Sequence, residues 1–413
     1  MDSPHAIGTP SPNLIFAIAS DDVDQVRQAL THGDTNPNER LGPQSALAFT
    51  VTNDALENKL SIVKTLLAHG ADPRGLEQEV QKTGSRRGSR DETYESSAST
   101  TASADTSGLE QLDPATRYYI KRAGAAHTRQ TSALIYRSFF RPLTKVRYEM
   151  VGQDRALEQL FKVLSIHSKQ LSVAPIVVLL CGPSGHGKSL LARRFGSLLD
   201  VPTHTVNMTT VRSTLDLWRS YSLSPYEEPS DSTLAEFLVE NEGKRCVVVL
   251  DEIEKTEDPK TLHSLLMPWE LGRCSFEAGS RHVDVRNVIW LGTSNVGQEL
   301  VFDHHAARAE PETLMSREEY VQLMALLRPR VSEQLGTSIL SRVTTVLPFV
   351  TFTMDEKMAI ASEALHTLAG DLLKTISDDS LNMIIREGVG RYIPSEGARS
   401  LYRAVSEMLL DAI

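Results

Sequence analysis

Ala174–Leu199 reads APIVVLLCGPSGHGKSLLARRFGSLL. An unbroken apolar run, Ile176–Cys181, breaks off at Gly182-Pro183-Ser184-Gly185-His186-Gly187-Lys188-Ser189. An amphipathic run then follows, with Leu191, Phe195 and Leu198 spaced i, i+4 and i+7. A strand apolar on both faces, a glycine-rich turn and a helix make up the phosphate-binding loop pattern G-x-x-x-x-G-K-[ST]. Glycines let backbone N–H groups turn inward around phosphate oxygens, and the helix N-terminus adds the positive end of its dipole. On this reading Gly182 to Gly187 cradle the phosphates of a nucleoside triphosphate. Lys188 reaches the β- and γ-phosphates, and the Ser189 hydroxyl ligates Mg²⁺.

At 413 residues the chain exceeds one ordinary core, so two or three domains are expected. A net charge of −10 argues against nucleic-acid binding by the whole surface. No apolar run approaches the roughly 18 residues of a membrane span. The N-terminal MDSPHAIGTPSPN carries neither a basic n-region nor an Arg-rich amphipathic pattern, so a cytoplasmic protein is expected, with the nucleus open to it. Cys181, Cys246 and Cys274 fit no metal-ligand spacing and read as reduced core thiols.

Taken in order, residues 1–12 are Pro-rich and expected to be disordered. Residues 13–75 hold two related segments, Leu14–Asp34 and Ser45–Pro73. Each reads as helix, turn and helix, closed by Gly33 or Gly70 at a left-handed C′ position. The stretch IVKTLLAHGADP (Ile62–Pro73) resembles the second helix and exit turn of an ankyrin repeat, although the T-P-L-H entry is missing. About three such units are needed to bury a continuous core, so two imply self-capping or docking onto something else. Residues 76–112 are rich in Ser, Thr, Gly and Ala and read as a disordered linker, with Arg86, Arg87 and Arg90 as solvated charge.

Residues 113–147 read as a basic helical adaptor packed on the following domain, with Arg117 to Arg147 interleaved with Tyr118, Tyr119, Tyr136, Phe139 and Phe140. Nucleic acid is the disfavoured alternative for such a stretch in an acidic chain.

A second buried-strand run, Arg245–Leu250, ends in Asp251-Glu252. Such a strand delivers its terminal acids to the C-terminal edge of a parallel sheet, beside the phosphate loop. There Asp251 is placed to hold Mg²⁺ and Glu252 to polarise an attacking water. Further strands are expected at His204–Asn207, Asn287–Gly292 and Thr344–Phe349, alternating with helices, so residues 148–353 should form a doubly wound α/β domain. After Thr353 the pattern is helical only, at roughly 355–374, 378–389 and 395–412, giving a small helical module over 354–413.

Together, GPSGHGKS, VVVLDEIEK (Val247–Lys255), DVRNVIWLGTSN (Asp284–Asn295), GTSILSR (Gly336–Arg342) and SEGARSL (Ser395–Leu401) resemble, in order, the motifs of an AAA+ ATPase of the Clp type. The likeness is to the second ATPase module of ClpB-like disaggregases, and it covers about residues 146–413. An ankyrin-like segment before a single Clp-type module also resembles the ankyrin-bearing mitochondrial disaggregase. The resemblance implies ATP and Mg²⁺ as cofactors, with Val151 near the adenine, Asn295 orienting the water or sensing the γ-phosphate, and Arg399 reaching the nucleotide from the helical module. Arg342 would be the arginine finger acting on the next subunit of a homo-oligomeric, hexameric ring. The implied function is an ATP-dependent unfoldase or disaggregase acting on client polypeptides, with a protein partner for the repeats. A nucleotide-switched ankyrin scaffold is the alternative.

Two departures matter. Where the family's pore loop usually reads G-aromatic-V-G followed by Tyr-Glu-Glu, this chain has Ser222-Leu223-Ser224-Pro225-Tyr226-Glu227-Glu228. Leu223 stands in the aromatic's place, both glycines are gone, and Tyr221 or Tyr226 is left as the gripping group. The sequence also ends at Ile413, before the strands that usually complete the helical module, as a truncated chain would. Within the phosphate loop, His186 stands where the family has a small or aliphatic residue.

Overall fold

The computed structural model describes residues 14–32, 35–41, 44–80, 109, 112–169, 174–222, 232–276, 282–374 and 376–412. The N-terminal 1–12, Gly33, most of the linker, Leu223 and Tyr226 lie outside them. The chain divides into two compact units, Met1–Arg129 and Gln130–Ile413.

In the first unit, helices α1 (Leu14–Ala19), α2 (Val23–His32), α3 (Ala46–Thr52) and α4 (Lys59–Ala68) form two packed pairs. Their polar turns are cross-tied. The Asp21 carboxylate accepts the Glu57 N–H at 2.9 Å and the Asn58 N–H at 3.1 Å. Asn38 donates to Gly70 O at 3.1 Å and accepts from Asp72 N at 2.7 Å. Gly70 has φ 100°, the left-handed exit expected of it.

A fifth helix, α5 (Pro114–Gly124), packs on α4 with Tyr119 and Ile120 buried, and the Lys64 ammonium sits 4.8 Å from the centroid of the Tyr119 ring. Within this unit α4 is therefore covered by α5 on that face. The stretch 113–147, read as one adaptor, runs across the boundary between the two units. Pro114–Gly124 belongs to the first unit, and the 3-10 helix Arg141–Tyr148 belongs to the second. Part of the basic–aromatic alternation is internal packing, with Arg147 buried over Phe161 and Arg245 over the Phe139 ring, while Arg117, Lys121, Arg129, Arg137, Arg141 and Tyr136 stay exposed.

The second unit is built on a five-stranded parallel sheet of β1 (Ile176–Cys181), β2 (Thr203–Asn207), β3 (Cys246–Asp251), β4 (Val288–Ser294) and β5 (Thr345–Pro348). Its spatial order is β2-β3-β4-β1-β5. The central strands β1 and β4 are buried along their whole length. Alternate residues feed two cores: Val177, Leu179 and Cys181 join one, and Ile176, Val178 and Leu180 the other. That period of two with both faces covered explains why β1 reads as a continuous apolar run. Helix α6 (Asp154–Lys169) and helix α7 (Lys188–Leu199) supply Leu157, Phe161, Leu191 and Phe195 to the second core. Each such side chain contributes about 1.5–3 kcal/mol by leaving water.

The chain leaves β1 toward β2 at one edge and then returns through β3 and β4 to β1's side. This reversal opens a crevice at the carboxyl ends of β1, β3 and β4, where ligands bind in open parallel sheets.

Beyond α8 (Arg317–Leu335), the helices α9 (Met354–Ala369), α10 (Asp378–Gly390) and α11 (Ala398–Ala412) form a module around Ala361, Leu365, Ile384, Ile385 and Val405. A capping box at Thr353 and Glu356 starts α9, so the chain turns helical directly after Phe352. All three cysteines are buried and unpaired with each other. Among the described residues, no helix is long and apolar enough to cross a membrane.

Candidate functional site

The turn after β1 carries positive φ at Gly182 (131°), Gly185 (72°) and Gly187 (97°), which lets the loop curl back on itself before α7. A side chain at Gly182 would also strike Phe349 O, because the residue that follows β5 lies against the loop. Lys188, the first residue of α7, turns back into this curl. Its ammonium donates to Gly182 O and Pro183 O, both at 2.7 Å, and to Asn295 Oδ1 at 3.0 Å. Burial pushes its pKa down to about 8, partly offset by the nearby Glu254 and Asp251 carboxylates. A cation held this tightly by neutral carbonyls is suited to exchange them for anionic oxygens.

The end of β3 lies opposite. Asp251 accepts from Ser189 Oγ at 3.1 Å and from Thr293 Oγ1 at 2.6 Å. Thr293 in turn accepts the Glu252 N–H at 3.0 Å, while Glu252 sits in the left-handed region at φ 57°. Non-glycine residues seldom adopt that conformation, and here the Thr293 bond helps to hold it. Thr293 thus links the two acids, a role that sequence reading missed. Its place two residues before Asn295 at the end of a buried strand was the available clue. Asn295 itself is fixed from behind, its N–H donating to Glu254 Oε1 at 2.8 Å. Glu254 was missed as well, since an acid three residues after a strand end has no distinctive signal.

These groups open onto a cavity of about 310 Å³, lined among others by Val151, Ser184 to Ser189, Glu252, Thr293, Asn295 and Arg399. Phe352, Ile360, Glu363 and Tyr402 also line it, none of which stood out in the sequence. Tyr402 lies one turn beyond Arg399 on α11, a spacing that could have flagged it. Arg399 Nη1 lies 3.3 Å from Ser184 Oγ, so the helical module does bring this arginine to the loop. His186 is buried in the loop, and burial pushes its pKa down to about 4.

Arg342 is elsewhere. It does not line the cavity of its own chain, and its guanidinium pairs with Glu270, with Nε at 3.0 Å, and donates to Ser338 O at 2.7 Å. The structure therefore brings Val151, the loop, Asp251, Glu252, Asn295 and Arg399 to one place and leaves Arg342 outside it. Of the pore segment, Tyr221 is half exposed and forms an isolated bridge with Thr233.

The donor set at the cavity edge suits a hard cation shared with a phosphate: the Ser189 hydroxyl lines the cavity and the Asp251 carboxylate is bonded to it from behind, leaving other positions to phosphate and water oxygens. Among the described residues no cluster of three or more His, Cys, Asp or Glu could hold a metal alone.

Residues 177–313 match the AAA domain of the dynein-related subfamily. Over 282 residues the chain is 27% identical to chaperone protein ClpD1, chloroplastic, of Oryza sativa subsp. japonica, covering 65% of this chain and 29% of that protein. Over 272 residues it is 27% identical to chaperone protein ClpB of Lactiplantibacillus plantarum, covering 62% of this chain and 29% of that one. The chain thus spans under a third of the length of these relatives. The S. cerevisiae Hsp104–ADP complex aligns with 72% of this chain and 52% of its own at 18% identity, with a TM-score of 0.48.

Proposed function

We propose that this chain is an AAA+ ATPase of the Clp type that binds ATP with Mg²⁺ in the cavity above β1 and hydrolyses it to remodel polypeptide clients, a reading supported by the AAA-domain match and the Clp relatives. The observation that carries the reading is the meeting of Lys188, Ser189, Glu252, Asn295 and Arg399 around one cavity, with Asp251 bonded to Ser189 behind it, from four separate stretches of sequence. Lys188 exchanges its carbonyl partners for phosphate oxygens. Ser189 and Asp251 hold Mg²⁺, which when bound neutralises charge building on the phosphates. Glu252 accepts the proton of the attacking water, Asn295 orients that water, and Val151 borders the adenine.

Arg342 points to assembly. As an arginine finger it would serve the cavity of a neighbouring copy in a homo-hexameric ring, where such a group is worth about 10³–10⁵ in rate. Its position outside its own cavity supports that use. The first unit would then be an ankyrin-like partner-binding element.

The test is ATP-dependent unfolding of a tagged model client by the full chain, with Tyr221→Ala as the variant. Unfolding that needs ATP and weakens in the variant supports remodelling. ATP turnover without any unfolding of clients favours the second reading, a nucleotide-switched scaffold. The altered pore segment, with Pro225 and without the family's glycines, is the observation in that reading's favour.

A further inference from the structure

His186 sits where the phosphate loop meets the C-terminal helical module, and both of its ring nitrogens are used. Nδ1 lies 2.7 Å from Ser184 O. A carbonyl can only accept, so Nδ1 carries the hydrogen. The buried ring is neutral, so Nε2 is the acceptor, and the Tyr392 hydroxyl at 3.3 Å donates to it. The ring stacks on Phe352, with centroids 4.8 Å apart and planes 14° from parallel. Phe352 is the strand-to-helix link into α9, and Tyr392 is in the turn between α10 and α11. One imidazole thus touches the loop, the hinge and the module.

The backbones beside it meet directly. Ala398 N donates to Gly185 O at 3.0 Å, and a Cβ built on Gly185 would lie 1.9 Å from Glu396 O. Arg399 follows Ala398, and its guanidinium lies 3.3 Å from the Ser184 hydroxyl. Ser184 is therefore held twice: its carbonyl by His186, its hydroxyl by Arg399.

We propose that His186 is a positioning residue that ties the helical module to the phosphate loop and thereby sets where Arg399 meets the bound nucleotide. This rests on the loop being a nucleotide site. In that arrangement a nucleotide that reshapes the loop reorients the module through His186 and Tyr392, and the module in turn delivers or withdraws Arg399.

The test uses the full chain with His186→Val, His186→Gln, Tyr392→Phe, Arg399→Ala and the His186→Val/Arg399→Ala double variant. Without nucleotide, amide exchange over 398–412 is expected to rise in His186→Val and Tyr392→Phe. In both variants kcat for ATP should fall by about tenfold, the effect of one or two lost hydrogen bonds at a positioned group, and in Tyr392→Phe, outside the loop and the cavity lining, fluorescent-ADP affinity should stay within about threefold. His186→Gln, which can still accept from Tyr392, should recover part of the loss. The double variant should be no slower than Arg399→Ala alone, because His186 acts through that arginine. Additive losses in the double variant, or unchanged kcat and exchange in both His186→Val and Tyr392→Phe, would overturn the inference. Failure of the wild-type chain to bind fluorescent ADP would overturn the nucleotide-site reading beneath it, a different outcome from the first two.

Discussion

Glu254 holds Asn295 from behind: Asn295 N–H donates to Glu254 Oε1 at 2.8 Å, while the Asn295 side chain accepts the Lys188 ammonium at 3.0 Å. The other Glu254 oxygen is buried with no hydrogen-bond partner among the described residues. A carboxylate left half-satisfied in a buried site is costly unless a cation shares its surroundings, and Lys188 is that cation. Glu254→Ala is expected to lower kcat about tenfold by loosening Asn295, whereas Glu254→Gln keeps an acceptor and loses less. Steady-state ATP turnover of the two variants checks this. Equal losses in both would point to charge rather than positioning.

Lys188 titrates within reach. Burial lowers its folded pKa to about 8, below the ordinary lysine value of 10.5. Nucleotide binding needs the ammonium, so affinity should fall as pH rises above about 8, with one proton taken up on binding there. Stability runs the other way. The folded state binds fewer protons at this group than the unfolded chain between pH 8 and 10.5, so its contribution improves as pH rises through that window. Calorimetric ADP titration from pH 7 to 9.5 in two buffers of different ionisation heat measures the uptake. An affinity independent of pH in wild type would contradict the assignment.

Thr293 joins Asp251 to Glu252 through a single hydroxyl. Thr293→Val keeps shape and removes that link. It leaves the Glu252 N–H without its acceptor, at a cost of about 1–3 kcal/mol. Turnover should fall about tenfold or more with ADP affinity nearly unchanged. A variant that loses affinity in proportion to rate would show that Thr293 supports the binding site generally.

Arg342, 24% exposed, and Glu270, 51% exposed, form an ion pair that solvent reaches, and such pairs contribute about 1 kcal/mol. Glu270 can therefore hold the arginine at rest without preventing its departure. Glu270→Ala should change turnover by less than about fivefold, while Arg342→Ala should reduce it by about 10³-fold with ADP affinity kept. Wild-type specific activity should also climb with protein concentration as neighbours associate. Light scattering alongside the rate measurement gives both. A monomer with full activity would leave Arg342 no neighbour to serve.

Local patterns were legible because their physics is local. The apolar run at Ile176–Cys181 is β1 to the residue, and the runs before Asp251 and Thr293 are β3 and β4. The three helices after Thr353 fall within a few residues of their expected ends. The break inside the basic stretch was not legible, because which core a helix joins depends on packing rather than on its own composition. The partners of His186 were equally hidden, since Tyr392 lies 206 residues away and only the folded module brings it back to the loop. Glu254 and Thr293 escaped notice for a related reason. Their roles are hydrogen bonds between strand ends that adjoin in the sheet and not in the chain.

Phosphate release from ATP by the full chain, compared between wild type and Glu252→Gln, tests the central claim most directly. Mg²⁺-dependent turnover is expected in wild type. In Glu252→Gln turnover is expected to collapse while fluorescent ATP still binds, because the variant keeps Lys188, Ser189 and Asp251 in place. Turnover that persists in Glu252→Gln would contradict the assignment of the base, and a wild-type chain that neither binds nor hydrolyses ATP would contradict the account as a whole.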